Sequence, residues 1–291
     1  MKVTGFTIAR NIVKFDYPVV EAIRSILPLC DEFVVAVGRS EDDTLNVIRN
    51  IGDPKIKIVE TVWDDSLREG GKVLADETNK AYRAISADTD WCFYIQGDEV
   101  IHEKYLPVIK EAMTKWKDDK SVDGLLFNYR HFYGSYDYVG DSRKWYRREI
   151  RIVRKNDSIV SYRDAQGFRK KDNSKLFVKA VDAEVYHYGW VKSPEAQQAK
   201  QESFHKMWHD DEWMKKNIPV AEKFDYSQID SLALFTGTHP AVMIDRIAKQ
   251  NWKFSFDPTK KKWGMKMRFL MGLEKTFGWR VGEYKNYILK K

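Results

Sequence analysis

The stretch Trp91-Cys-Phe-Tyr-Ile95-Gln96-Gly97-Asp98-Glu99 decides how this chain is read. Five apolar or aromatic residues in a row have the pattern of a buried strand, and they end in a polar turn with two adjacent carboxylates. Asp98 and Glu99 repel each other unless a cation is shared. A divalent metal would relieve that, because Mg²⁺ and Mn²⁺ are hard ions held by one or two protein carboxylates with phosphate and water completing the shell. The plain alternative is an acidic cap on a following helix, since Ile101 onward reads as helical.

Three strand-helix cycles precede this turn. Residues 3–9 read as a strand, followed by Arg10-Asn11 and a helix from Pro18 to Leu27. Glu32 to Val37 is the second strand, with the turn Gly38-Arg39-Ser40 and a helix from Asp42 to Asn50. Lys55 to Val59 is the third, with a loop from Trp63 to Gly71 and a helix near Val73 to Ile85. Such alternation predicts an α/β fold whose mostly parallel sheet is flanked by helices, with ligands bound at the carboxyl ends of its strands. That rule gathers Arg10, Asn11, residues 38–43 and residues 96–99 along one edge. Downstream, a helix runs from His102 to Trp116, and Val122–Phe132, Glu149–Val160 and Phe177–Tyr188 read as strands without crossovers. Ser193-Pro194 opens a long helix to about Lys216, and Phe256 to Lys262 reads as a linker. These readings divide the chain into an α/β domain, 1–192, and a helical C-terminal region with a basic amphipathic tail, 193–291.

The chain has 291 residues, 43% hydrophobic and 14% aromatic, enough for a sizeable core. Its first twenty residues lack a signal-peptide pattern and no 18-residue apolar run occurs, so a cytoplasmic protein is expected. Cys30 and Cys92 read as core residues. The formal charge of +7 gathers in one place: residues 258–291 hold ten Lys/Arg against two Glu, leaving the rest nearly neutral. This distribution argues against nucleic acid. In the tail, cations alternate with Trp263, Met265, Phe269, Phe277 and Trp279, the composition of a helix lying on an anionic membrane surface; packing on its own domain is the alternative.

The acidic turn, with Phe6-Thr-Ile-Ala-Arg-Asn11, Ser40-Glu-Asp-Asp-Thr44, and Gly70-Gly71-Lys72 followed by Asn79, resembles the family 2 glycosyltransferases of the GT-A fold over residues 3–190. The resemblance implies a GT-A Rossmann-like sheet and an inverting transfer of sugar from a UDP- or GDP-sugar to a glycan or lipid-linked acceptor of a surface polysaccharide or glycolipid. It also implies that Asp98 binds Mn²⁺ or Mg²⁺, with His187 a metal or phosphate ligand from the second half of the domain. Gln96 stands where such enzymes carry the first Asp of an Asp-x-Asp turn. The nucleotide-sugar contacts implied are Ala9, Arg10, Asn11, Lys72, Gln96 and Gly97, with Arg39 or Asp42 toward the base and Lys192 toward the diphosphate.

For the base that takes the acceptor proton, Glu149 is the first candidate, a carboxylate held among arginines; Asp164 is the second and Asp141 the third. Neighbouring arginines would lower the pKa of Glu149 and also suit a structural salt bridge. The aromatic segment from His131 to Tyr138, with Trp145 and Tyr146, suits stacking on a pyranose. His205 and His209, four apart, read as a solvated helix face rather than metal ligands. Two other functions compete. A nucleotidyltransferase would need glycines after the first strand that Ala9-Arg10-Asn11 lacks, and a non-catalytic carbohydrate- or membrane-binding protein is compatible with Gln96.

Overall fold

The structure is a computed structural model and describes residues 1–67, 69–209, 211–217 and 221–290. Its first half runs β1 (Val3–Ala9), α1 (Val19–Ile26), β2 (Glu32–Gly38), α2 (Thr44–Arg49), β3 (Ile56–Thr61), α3 (Lys72–Arg83) and β4 (Trp91–Tyr94). These four strands pair in parallel in the order β3-β2-β1-β4. Alternation along β2 explains why both sheet faces are covered. Phe33, Val35 and Val37 pack with Ala22, Ile23 and Ile26 of α1 on one face, while Val34 and Ala36 pack with Ala81 and Tyr82 of α3 on the other.

The second half is mixed. It holds β5 (Glu99–Ile101), α4 (Leu106–Trp116), β6 (Gly124–Tyr133), β7 (Ser135–Gly140), β8 (Arg148–Arg154), β9 (Ile159–Tyr162), β10 (Gly167–Lys170) and β11 (Leu176–Trp190). Strand β8 joins β4 to β6 antiparallel to both, and β11 runs parallel to β6. Beyond these lie α5 (Pro194–Lys206), α6 (Asp211–Asn217), β12 (Leu232–Leu234), α7 (Ile244–Ala248), α8 (Met265–Phe277) and β13 (Tyr287–Leu289). Strand β12 pairs with β7 and β13 with β11, so the C-terminal region adds to the sheet as well as to the helices. This is the GT-A Rossmann-like α/β architecture that the resemblance implies.

Three expectations are corrected. Glu99 to Ile101 forms a strand against β11 instead of opening a helix, because Val100 and Ile101 are both buried in the sheet. The strand expected from Glu149 to Val160 breaks at Asn156, whose side-chain oxygen accepts from the Ser158 amide in a turn, and β9 then leaves to pair with β10. Ser193 caps α5 as expected, but α5 ends at Lys206 and α6 begins at Asp211; Asp210 between them lies outside the described residues.

Candidate active site

A cleft of about 1050 Å³ opens at the carboxyl ends of β1 and β4, where a parallel sheet leaves backbone and loop groups free for a ligand. Its rim is built by tying two loops together. The Asn11 amide donates to Ser40 Oγ (3.1 Å), Asn11 Oδ1 accepts from the Glu41 amide (2.8 Å), and Asp42 Oδ2 accepts from the Val13 and Lys14 amides (2.9 and 2.8 Å). This lacing holds Asn11 at a left-handed φ of 53°, a conformation asparagine tolerates better than most residues.

Asp98 lines the cleft, and its Oδ2 lies 3.3 Å from Lys200 Nζ and 3.7 Å from His187 Nε2. Burial pushes its pKa up, but Lys200, His187 and Lys192 together outweigh burial and hold the carboxylate at about 2. The adjacent Glu99 faces elsewhere. It is fully buried and receives Arg151 through two bonds of 2.7 and 2.8 Å, with the Tyr129 hydroxyl donating at 2.7 Å. The repulsion expected between Asp98 and Glu99 is therefore relieved at Glu99 by a guanidinium, not by a shared metal.

A chain of rings fixes the state of His187. His131 Nε2 lies 2.8 Å from the Tyr146 carbonyl, which can only accept, so this nitrogen carries the proton. Burial, reinforced by His187, pushes the His131 pKa down to about 3, so its Nδ1 keeps a lone pair. His187 Nδ1 sits 3.2 Å from that lone pair and must donate to it. Burial also lowers the pKa of His187, which favours its uncharged form, and with Nδ1 donating to His131 the lone pair of Nε2 faces Asp98. Gly189 leaves the room: a Cβ there would lie 2.6 Å from Asp98 Oδ2 and 2.8 Å from His187 Nε2.

A carboxylate oxygen and an imidazole lone pair converging without a proton between them suit a cation. Lys200 supplies one here, also donating to the Gly189 carbonyl at 2.8 Å. The same two donors suit a divalent ion, with phosphate and water to complete its shell. Among the described residues no group of three or more His, Cys, Asp or Glu forms a metal site by itself.

Asp164 lies on the wall of the cleft in a turn whose neighbours Arg163 and Ala165 have φ of 54° and 61°. Its Oδ1 is buried without a hydrogen-bond partner, and burial raises its pKa. Gln96 Nε2 donates to the Ala165 carbonyl at 3.1 Å and so ties this turn to the end of β4. Trp145 stacks on His131 (centroids 5.0 Å apart), and Trp145, Tyr146, Trp190 and Phe204 give the cleft an aromatic side.

Of the site residues expected from sequence, the cleft brings together Ala9, Arg10, Asn11, Gln96, Gly97, Asp98, Asp164 and His187. Arg10 is held there by paired bonds to Asp65 (2.6 and 3.0 Å). Six others lie outside its lining. Arg39 is exposed, Lys72 pairs with Glu69 at the surface, and Asp42 serves the loop lacing. Lys192 is buried behind the cleft with its ammonium 4.4 Å from the Tyr17 ring centre, and burial, then the charge of Lys200, pushes it down to about 7. Glu149 is buried beside Gly167, and burial pushes it up to about 8, against the lowering expected from its arginine neighbours. Arg148 bonds Asn128 and Arg151 bonds Glu99 instead. Asp141 is paired with Lys261 and Ser231 outside the cleft.

The structure adds Lys200, Tyr17, Tyr94 and Trp63 to the lining. Lys200 reaches Asp98 across 102 positions of sequence, and no local pattern announces such a contact. His205 also faces the cleft rather than solvent, and the His205 and His209 rings stack instead of converging on a point.

No family model and no curated protein matches the chain. Among solved structures it is similar to TarS of S. aureus, with a TM-score of 0.40 and 16% identity over 76% of this chain and 41% of that one. A 1–349 form of TarS in complex with UDP gives a TM-score of 0.39 and 16% identity over 76% of this chain and 68% of that one. Glucosyl-3-phosphoglycerate synthase from Mycobacterium tuberculosis, in complex with Mn²⁺, UDP and phosphoglyceric acid, gives 0.30 and 19% over 45% of this chain and 43% of that one. The chain thus spans well under half the length of the full TarS structure. Likenesses at this level assign no function to the chain.

Proposed function

We propose that this chain is a metal-dependent glycosyltransferase that moves a sugar from a UDP- or GDP-sugar to the hydroxyl of a glycan or lipid-linked acceptor. The observation that carries this reading is the convergence of the Asp98 carboxylate and the His187 Nε2 lone pair, 3.7 Å apart, in a cleft at the carboxyl ends of parallel strands. When bound there, Mn²⁺ or Mg²⁺ would neutralise the charge that develops on the departing diphosphate. Lys200, half-buried beside Asp98, is placed to share that charge. The aromatic side of the cleft suits the apolar face of a pyranose.

Asp164, in place of Glu149, is the proposed base. It is the candidate carboxylate on the cleft wall that is neither ion-paired nor hydrogen-bonded at Oδ1, and its raised pKa strengthens it as a base. A base separate from Asp98 suits direct attack by the acceptor, which inverts the anomeric carbon. Acceptors of surface polysaccharide or glycolipid synthesis are the class we expect.

The test is thermal shift with a panel of UDP- and GDP-sugars and Mn²⁺. A matching donor raises Tm by binding the native state, and Asp98→Ala removes the metal-dependent part of the rise. An equal rise in the variant would take Asp98 out of the metal role. Product anomeric configuration by NMR then tests inversion.

A further inference from the structure

Helix α8 and the segment after it present a face that the rest of the chain leaves uncovered. Met265, Phe269 and Trp279 are 90%, 67% and 66% exposed, and Phe277 and Val281 are also exposed. Isolated apolar residues at a surface need no explanation, but five bulky ones within seventeen positions form a patch that does. The helix is docked through its other side, by Met271 and by ion pairs.

The charges around this face are sorted. Both acids of the segment turn inward: Glu274 meets Arg143 at 2.7 Å, and Glu283 meets Arg147 at 2.8 Å and Arg280 at 3.7 Å. Lys266, Arg268 and Lys275 stay exposed, and among the described residues no carboxylate pairs with Lys266 or Lys275. The outward surface is thus bulky apolar groups rimmed by cations. A second copy docked by two-fold symmetry would set these cations against their own kind. An anionic lipid surface offers both an apolar interior for the side chains and negative headgroups for the rim. No helix among the described residues is long and apolar enough to cross a membrane, so the contact is with one leaflet.

We infer that the α8 face, Met265 to Val281, seats the protein peripherally on an anionic bilayer. The surface is distinct from the cleft, and this inference stands independently of the nucleotide-sugar chemistry. It also holds the cleft close to the membrane, since Arg280 donates to the carbonyls of Arg143 and Trp145, and Trp145 lines the cleft.

The experiment is co-sedimentation of the full chain with vesicles of phosphatidylcholine alone and of phosphatidylcholine with phosphatidylserine. The protein should pellet with the anionic vesicles only and be released by salt. Phe269→Ser with Trp279→Ser should weaken partitioning about tenfold or more. Lys266→Glu with Lys275→Glu should do the same, each cation being worth about fivefold. Because all four side chains are exposed, Tm should not move, which separates lost binding from lost folding. Failure of the wild-type chain to pellet at low salt would overturn the inference. So would undiminished partitioning of both variants, or an oligomer in the analytical ultracentrifuge that the first variant dissolves while no vesicle binding is seen.

Discussion

Glu149 sits on β8 with Oε2 sealed from water and without a partner, and burial pushes its pKa up to about 8 from an ordinary 4.5. In that window the folded chain binds the proton more tightly than the unfolded chain, so stability falls as pH rises from about 4.5 to about 8. Glu149→Gln should flatten this slope by roughly a few kcal/mol across the window, measured by urea unfolding at its two ends. An unchanged slope would mean that the carboxyl is not protonated in the native state. The same variant should keep its turnover. Asp164→Asn, by contrast, should lower kcat about 10²- to 10⁴-fold with little change in donor KM, as loss of a general base does. Equal losses in the two variants would contradict the assignment of Asp164 over Glu149. That Asp98 would stand at a cleft beyond the end of β4 was legible in the sequence because an acidic turn after an apolar run is a local pattern. The pKa of Glu149 moves opposite to the expected direction because neighbours in a strand point to opposite faces, which sends Arg148 to Asn128, while Arg151 is engaged by Glu99.

At the scale of elements, the buried pair between β5 and β8 carries the largest single stability prediction. Glu99 and Arg151 are 0% and 1% exposed, and each leaves the other without an adequate partner if it is removed. Arg151→Met should cost about 3–5 kcal/mol in urea unfolding, and the double variant Glu99→Met, Arg151→Met should recover much of that loss. A double variant as unstable as the single one would show that the pair matters for shape rather than charge. The four parallel strands β1 to β4 could be read in advance because each is rich in apolar or β-branched residues, interrupted in β3 by Lys57 and Glu60, and has a turn behind it. Strand β5 could not, since three residues are too few to show a period and their strand character comes from pairing with β11. The same applies to β12 and β13, three residues each, which the sheet recruits from the end of the chain.

Across the whole molecule, the cations where tail and body meet fall into two populations. Arg143, Arg147 and Arg280 fasten the tail to the body through Glu274 and Glu283, whereas Lys266 and Lys275 remain outside. Composition counts both alike, and only tertiary structure separates them. Because Arg280 bonds the Trp145 carbonyl at 2.5 Å, Arg280→Met should loosen one wall of the cleft. The expected result is a KM raised several-fold, roughly threefold to tenfold, with kcat less affected, read from steady-state kinetics. A variant with wild-type KM would uncouple the tail from the site.

Lys200 on Asp98 has a thermodynamic corollary for the proposed chemistry. The resting cleft keeps its own counter-ion, so a bare divalent ion would gain entry only by displacing the ammonium group that already sits on Asp98. An ion arriving with a nucleoside diphosphate brings a new anionic companion for that ammonium. Ion and nucleotide therefore favour each other's arrival, and each should raise the other's affinity by the same factor.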